Sequence, residues 1–198
     1  MIQRLIALIV LILSIPLWIL FYVLIKVNSE GPVIFKQKRM GKDKKAFVMF
    51  KFRTMVKNAE KLKSKYAKVN EVDGPVFKIK DDPRFTGFGK ILSHTGLDEL
   101  PQLINIVRGE MAFVGPRPLP LEEGKHVPKP YEARFSVLPG VTSPWVLKGQ
   151  HKLHFNQWMK LDVEYVNNRS AISDSEIALK TGLLIMGIIF KKMLGGNG

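Results

Sequence analysis

Residues 95–103 read TGLDELPQL and place two adjacent carboxylates, Asp98 and Glu99, at the start of a short apolar segment. Apolar residues at positions 100, 103, 104 and 107 have the spacing of one buried helical face, and Gly109 predicts its end. Because proline is tolerated only in the first turn of a helix, Pro101 predicts that the helix begins near Asp98. A helix N-terminus carries unpaired N–H groups and partial positive charge, so this position suits a phosphate.

The same residues also admit a purely structural interpretation. Thr95 and Asp98 have the spacing of a capping box, and acidic side chains in a first helical turn complement the helix dipole. The spacing alone therefore leaves two alternatives open, a helix cap and a catalytic pair of carboxylates.

Positive charge is concentrated in one part of the 198-residue chain, whose net charge is +14. Residues 26–68 alone contribute a net +11. Such a block suits nucleic acid, an anionic membrane surface or a phosphorylated substrate, and a solvated basic face explains it equally well. The chain has no cysteine, which excludes a disulfide framework, cysteine-ligated zinc and a thiol nucleophile.

An uncharged segment, LIALIVLILSIPLWILFYVLI at 5–25, lies between Arg4 and Lys26. It is long enough to cross a bilayer, it exceeds the apolar core of a signal peptide, and no small-residue cleavage site follows it. Pro16 removes one backbone hydrogen bond and predicts a kink, where Ser14 could bond to the freed carbonyl. Basic residues at both ends favour a re-entrant helix with both ends on one leaflet, and a straight span is the alternative.

A β-hairpin is predicted next, with a first strand in 31–41, a turn at Gly41 and a second strand at 46–50. Lys51 and Arg53 follow, and their alternation with apolar residues could let both grip a diphosphate, although a solvated strand edge is the alternative. Further on, one glycine and two prolines surround Arg117 in GPRP. This rigid segment suits phosphate recognition by arginine, and an ordinary surface turn is the alternative.

The rest of the chain yields coarser predictions. They are an exposed helix or mobile flap at 57–68, a loop at 69–83, a glycine-containing segment at 85–92, a loop and short helix at 119–134, a turn with an exposed Trp145 at 138–145, and a helix at 155–166. At 177–194 the uncharged run 182–190 is too short to span a bilayer, so this helix is buried or lies in the membrane interface.

Together these patterns predict a largely helical α/β fold with a small β-hairpin or sheet. The predicted organisation is a re-entrant membrane helix at 1–27, a cytoplasmic catalytic domain at 28–176, and an apolar or interfacial C-terminal helix at 177–198 packed on that domain.

Five segments, in this order, resemble the bacterial sugar transferase family, the small monotopic phosphoglycosyl transferases. They are GPVIF at 31–35 with Gln37 and Arg39, KFRTM at 51–55, DPR at 82–84, LDELPQL at 97–103, and GEMAFVGPRP at 109–118. Each segment alone is unspecific, but their shared order covers nearly the whole chain.

The resemblance implies a catalytic dyad at Asp98 and Glu99, a Mg²⁺ ion held by these carboxylates, a UDP-sugar donor and a polyprenol (undecaprenyl) phosphate acceptor. It also implies anchorage in the bacterial inner membrane with the catalytic domain on the cytoplasmic face. On this hypothesis Asp98 attacks the sugar-linked phosphorus and UMP leaves, while Glu99 binds metal or manages a proton. The candidate phosphate and nucleotide-sugar ligands are Lys51, Arg53, Arg117 and Arg39.

The chain departs from the family pattern at several positions. Ser93 stands where the family often has an arginine, Gly96 replaces a common serine, Ile15 separates Ser14 from Pro16, and Gln150 replaces a second arginine. Two alternatives remain: a glycosyltransferase that moves the sugar alone and releases UDP, and a non-enzymatic, membrane-anchored basic protein. No sequence signature of a nucleic-acid-binding fold is present, so nucleic acid is not an expected partner.

Overall fold

The computed structural model describes residues 1–77, 79–149 and 154–194. The chain forms two compact units, Met1–Lys38 with Val48–Gly109, and Arg39–Phe47 with Glu110–Gly198. The described residues are mostly helical and include two small sheets, which confirms the predicted mixed α/β class.

The apolar N-terminal segment of the first unit is two helices, α1 (Ile2–Leu13) and α2 (Ile15–Asn28), which meet at Ser14. Pro16 lies in the first turn of α2, where its missing N–H leaves no bond unmade. The Ser14 hydroxyl donates to the Leu11 carbonyl at 2.8 Å and accepts from the Trp18 indole at 3.1 Å. No single described helix has the length and hydropathy of a membrane span, but α1 and α2 together do, with a bend of 59° between them.

Both helices pack on the rest of the first unit. Phe21 and Ile25 of α2 join a buried cluster with Phe52 and Leu92, and α1 packs along α5 (Gln102–Arg108). The outer faces of α1 and α2 are apolar and exposed. The exposed large side chains are Ile2, Leu5, Ile6, Leu8, Ile9, Val10, Ile12, Leu13, Ile15, Leu17, Ile19, Leu20, Tyr22, Val23 and Val27.

The predicted hairpin is confirmed as β1 (Ile34–Met40) and β2 (Ala46–Phe52), joined by a 3₁₀ turn at Lys42–Lys44. Strand β2 extends through Lys51, so this lysine is a strand residue. A third strand, β4 (Leu119–Pro120), pairs antiparallel with β1 and completes a sheet of order β2-β1-β4. Sequence analysis predicted only a loop there, because two residues carry no periodicity.

Between the hairpin and the carboxylate pair, the first unit has α3 (Ala59–Leu62), a 3₁₀ segment (Ser64–Val69) and α4 (Gly87–Thr95). The Thr86 hydroxyl caps α4 by accepting a hydrogen bond from the Gly89 N–H at 3.0 Å. Gly89 lies so close to the Thr54 carbonyl that a side chain there would collide with it. The glycines at 87 and 89 therefore belong to a helix that packs closely on the chain after β2.

The second unit contains a parallel pair, β3 (Ala112–Val114) and β5 (Gly140–Thr142). Its helices are α6 (Leu121–Lys125), a 3₁₀ segment (Lys129–Phe135), α7 (Pro144–Leu147), α8 (Phe155–Asn168) and α9 (Ala171–Met193).

Two predictions in this unit have different outcomes. Helix α8 is confirmed, and Trp158, Met159, Asp162 and Tyr165 on one side of it are buried. Trp145 was predicted to be exposed, and this is wrong, because its ring packs 4.9 Å from the Trp158 ring and only 3% of its surface is exposed.

Helix α9 is fixed to the second unit by a few polar contacts. Thr181 and Thr142 share a hydrogen bond of 2.7 Å between their hydroxyls, and Asp174 accepts from the Tyr165 hydroxyl at 2.6 Å. Large apolar side chains of α9 remain exposed, namely Ile172, Leu179, Leu183, Leu184, Met186 and Phe190. Its placement in a membrane interface stays a prediction.

Candidate active site

The carboxylate pair lies in a short 3₁₀ helix, Leu97–Glu99, between α4 and α5. Gly96 adopts a left-handed conformation (φ +73°) that ends α4 and redirects the chain. The predicted helix start at Asp98 is wrong, because α5 begins at Gln102. Pro101 has no N–H to bond back to Leu97, so the α-helical ladder cannot extend across it. The predicted end at Gly109 (φ +77°) is confirmed.

The capping-box interpretation is also wrong. Thr95 is the last residue of α4, and its hydroxyl donates back to the carbonyls of Ile91 (2.8 Å) and Leu92 (3.1 Å). It therefore does not cap the turn that carries Asp98. This removes the structural role that the spacing had offered for the acidic residues.

Lys51 lies against both carboxylates. Its Nζ is 2.6 Å from Glu99 Oε1 and 3.5 Å from Asp98 Oδ2. The three side chains are only 14% (Lys51), 9% (Asp98) and 16% (Glu99) exposed, so water screens these charges weakly. Strand β2 and the 3₁₀ turn thus bring Lys51 together with both carboxylates.

Asn105 fixes the strand that carries Lys51 to the helix that follows the dyad. Its side chain is fully buried, accepts from the Phe50 N–H at 3.1 Å and donates to the Val48 carbonyl at 2.7 Å. Because Phe50 directly precedes Lys51, these two bonds set the register of Lys51 against Asp98. Sequence analysis missed Asn105. The only signal was one amide between two isoleucines of a short apolar helix.

The buried side of α5 also differs from the predicted face. Gln102, Leu103, Asn105 and Ile106 are buried, whereas Ile104 and Val107 are half-buried. The predicted pattern counted only apolar residues, and the helix in fact buries two amides.

Arg53 does not contact the dyad. Its Nη2 donates to the carbonyl of Ser29 at 2.6 Å and to the Ser29 hydroxyl at 2.9 Å, at the C-terminal end of α2. In this structure Lys51 and Arg53 are bonded to different partners, Glu99 and Ser29. That both bind one diphosphate stays a prediction.

The DPR segment forms a buried ion pair. Arg84 donates through Nε and Nη2 to the two carboxylate oxygens of Asp82, at 2.9 and 2.6 Å. Burial alone would raise the pKa of Asp82, but hydrogen bonds from the side chain and backbone of Arg84, with its charge, hold that pKa below its usual value. Arg84 also donates a third hydrogen bond to the Ala59 carbonyl (3.0 Å), which connects α3 to this ion pair. These contacts of the DPR segment are therefore structural.

The other two candidate arginines belong to the second unit. Arg39 Nη1 donates to the Pro118 carbonyl at 3.0 Å, and the Arg117 guanidinium lies 5.6 Å from the centre of the Trp145 ring. Arg134, which sequence analysis missed, donates to the Arg117 carbonyl at 2.8 Å while paired with the buried Asp162. The rigid GPRP segment is thus supported by a buried ion pair as well as by its prolines.

Two sequence departures remain, at Ser93 and Gln150. Ser93 lies in α4, one turn before the 3₁₀ helix of the dyad, and Gln150 lies outside the described residues. Lys51 is a cation that the structure places against both carboxylates of the dyad.

The dyad has the donor chemistry for Mg²⁺. This ion prefers oxygen ligands and is usually held by one or two carboxylates together with substrate phosphates and water. Among the described residues no group of three histidine, cysteine, aspartate or glutamate side chains could hold a metal. Asp98 and Glu99 would therefore hold the ion jointly with the phosphates of a bound donor.

A family model described as bacterial sugar transferase matches residues 1–187. The galactosyl transferase CpsE of Streptococcus agalactiae is 40% identical over 155 residues, 78% of this chain and 34% of CpsE. The exopolysaccharide production protein ExoY of Sinorhizobium fredii is 36% identical over 181 residues, 89% of this chain and 80% of ExoY. The undecaprenyl-phosphate galactose phosphotransferase of Salmonella typhimurium is 32% identical over 182 residues, 89% of this chain and 38% of that protein. The chain thus spans most of ExoY but about a third of the other two relatives.

Proposed function

Because the chain belongs to the bacterial sugar transferase family, we propose that it transfers a sugar 1-phosphate from a UDP-sugar to polyprenol (undecaprenyl) phosphate and releases UMP. The name of the Salmonella relative supports a sugar phosphotransferase acting on undecaprenyl phosphate. The name of the Sinorhizobium relative supports a place in exopolysaccharide production. The observation that carries the proposal is the Lys51–Asp98–Glu99 cluster, where a poorly hydrated carboxylate lies beside a cation.

In the first step the Asp98 carboxylate attacks the sugar-linked phosphorus of the donor. A bond forms between Asp98 and this phosphorus, and the bond to the UMP oxygen breaks. The limited exposure of Asp98 favours this attack, because a carboxylate removed from water has less hydration to lose. In the second step an oxygen of the lipid phosphate attacks the same phosphorus, and the Asp98 carboxylate is regenerated.

Lys51 reduces the repulsion between the anionic donor and the dyad. Its ammonium group is closer to Glu99 than to Asp98, so it chiefly neutralises the neighbour of the attacking group. An incoming diphosphate is therefore repelled less by the dyad than it would be without Lys51. Such fixed charges stabilise a transition state without reorganising during the reaction.

Glu99 has the second role at the dyad. It binds Lys51 and, with Asp98, supplies carboxylate oxygens for Mg²⁺, which when bound neutralises charge on the donor phosphates and the leaving group. As a carboxylate, Glu99 could alternatively accept the proton of an incoming lipid phosphate directly.

The membrane placement is part of the proposal. A side chain at Gly109 would collide with the guanidinium of Arg4, so the beginning of α1 lies against the end of α5. Helix α2 packs on α4 of the same unit, and the exposed faces of both N-terminal helices are apolar. These contacts favour a re-entrant pair over a straight span, because both ends stay beside one globular unit. We place that unit on the cytoplasmic face of the inner membrane.

The experiment is identification of the released nucleotide. The full chain in detergent, with Mg²⁺, a panel of UDP-sugars and polyprenol phosphate, should release UMP, and Asp98→Asn should abolish the release. Asp43→Asn, on an exposed turn with positive φ where asparagine is well tolerated, is the matched control. Release of UDP instead would identify a glycosyltransferase that moves the sugar alone and would contradict the proposal.

A further inference from the structure

Arg53 has donors that the protein itself does not use. Its side chain is only 6% exposed, and Nη2 is bonded to Ser29. Its Nε and Nη1 are buried and have no hydrogen-bond partner among the described residues. Buried guanidinium groups are ordinarily satisfied, because an unmade bond to a charged donor is costly.

Comparison with the other buried arginines makes Arg53 unusual. Arg84 and Arg134 are similarly buried, and each is paired with a carboxylate, Asp82 and Asp162 respectively. No carboxylate in the described part of the chain pairs with Arg53, and burial alone lowers its pKa. Burying a cation without a neighbouring anion costs free energy, so an anion from outside the chain would stabilise this site.

The location of Arg53 indicates what kind of anion. Ser29 directly follows the last residue of α2, and Val23 and Val27 near that end expose half or more of their surface. A ligand at Arg53 would therefore have an apolar surface beside it. A phosphate group carried by an apolar chain matches both features, the charge and the surface.

Gly31 provides the access. It has φ +116°, and a side chain there would come within 2.5 Å of Arg53 Nη1. Its neighbours Glu30 and Pro32 are exposed. Binding at Nη1 would require this turn to move, and any larger residue at position 31 would fill the space that a phosphate oxygen needs.

We propose that Arg53 binds the phosphate group of a lipid at the end of α2, through Nη1 and over Gly31. Two sources share this chemistry, the polyprenol phosphate acceptor and the phospholipid headgroups of the bilayer. The acceptor as source rests on the proposed function, but lipid phosphate binding does not. In either case Ser29 holds the guanidinium in place.

The test is binding without turnover. The full chain in neutral detergent is titrated with farnesyl phosphate, farnesol and inorganic phosphate, and binding is followed by the rise in unfolding temperature. Farnesyl phosphate should bind the unchanged chain with the highest affinity of the three, and Arg53→Gln should weaken it by about 10- to 100-fold, the loss expected for hydrogen bonds to a charged group. Equal affinity for inorganic phosphate would contradict a lipid ligand.

Control variants separate the ligand site from a structural clamp. Ser29→Ala removes one contact to Arg53 but leaves its charge, so affinity should change by less than about threefold. Lys57→Gln, which removes an exposed cation, should have no effect. In Arg53→Lys a single nitrogen must bond both Ser29 and the phosphate, so this variant should bind farnesyl phosphate about tenfold more weakly than the unchanged chain. If Arg53→Gln does not fold, unchanged affinity in Arg53→Lys overturns the site.

Two further measurements distinguish the source of the phosphate. Phosphatidylglycerol that displaces farnesyl phosphate would identify a general headgroup site. Selective binding of farnesyl phosphate would identify the acceptor, and turnover should then show a raised KM for polyprenol phosphate in Arg53→Gln with an unchanged KM for the donor. Failure to release UMP would contradict the proposed function alone, since the binding experiment uses no donor. Unchanged binding in both Arg53 variants would contradict the site alone.

Discussion

Removal of Lys51 should slow formation of the covalent intermediate. In Lys51→Gln two adjacent carboxylates with little exposure lose the cation that lies 2.6 Å from one and 3.5 Å from the other. Two unit charges about 4 Å apart interact by about 4 kcal/mol at an effective dielectric constant of about 20. The residual exposure of Lys51 reduces this value, and about 2–3 kcal/mol remains for repulsion of the incoming diphosphate. The rate should fall by about 30- to 150-fold.

The assay is a single turnover with a UDP-sugar labelled with ³²P in its β-phosphate and no acceptor, followed by a rapid quench. Labelled protein is counted against time for the unchanged chain, Lys51→Gln and Lys51→Arg. The arginine variant keeps the positive charge and should recover part of the rate. Lys57→Gln, on an exposed loop, serves as the control for loss of one positive charge. Labelling of Lys51→Gln within about threefold of the unchanged chain would refute the electrostatic role of Lys51.

Three further predictions concern the supports of the site. Asn105→Ala should lower the free energy of unfolding by about 3 kcal/mol, measured by urea titration in detergent, because it leaves the buried Phe50 N–H and Val48 carbonyl unpaired. The pKa of Asp82 is lower in the folded chain than in the unfolded chain, where it is about 3.9, so the ionised carboxylate stabilises the fold above that pH. This stabilisation is lost as the pH falls through the folded pKa. The difference in unfolding temperature between the unchanged chain and Asp82→Asn should therefore narrow below about pH 4. Pro16→Ala should favour a straight helix, because it restores an N–H; in a chain without native cysteine, Gln3→Cys should then react with an impermeant maleimide from the outer side of the membrane.

Each of these predictions has its own contrary result. Unchanged stability in Asn105→Ala would mean that its two hydrogen bonds are replaced by water. A gap for Asp82→Asn that stays constant between about pH 6 and pH 3 would show that the carboxylate is not ionised preferentially in the folded state. Labelling of Gln3→Cys from the outer side while Pro16 is present would exclude the re-entrant pair.

Local patterns in the sequence predicted the elements that depend on local chemistry. The hairpin follows from two strand-forming segments on either side of the turn at Gly41, and α8 follows from helical spacing of Trp158, Met159 and Asp162. Gly109 ends α5 as predicted, because a glycine readily adopts the left-handed conformation found there. In each case the residues that determine the element are neighbours in the chain.

The site depended on contacts between distant residues, and these could not be predicted. Sequence analysis named Lys51 as a candidate phosphate ligand, but its contact with Glu99 was not predicted, because β2 brings the two residues together from distant parts of the chain. Arg53 is also basic and lies only two residues further along the chain, but its partner is Ser29. Asn105 interrupted an apolar pattern and was passed over for that reason. Periodicity indicates which face is buried but not which polar groups are paired within it.

The central claim, a covalent phosphosugar on Asp98, is tested most directly by mapping the adduct. The chain is incubated with a UDP-sugar without acceptor, quenched, digested with trypsin and analysed by mass spectrometry. The tryptic peptide 91–108, ILSHTGLDELPQLINIVR, contains Asp98 and Glu99 as its only side-chain carboxylates. We predict a mass increase of one sugar phosphate on this peptide, located by fragmentation to Asp98 and removed by hydroxylamine. An adduct on Glu99 or on any other peptide, or UMP release without an adduct, would contradict the account.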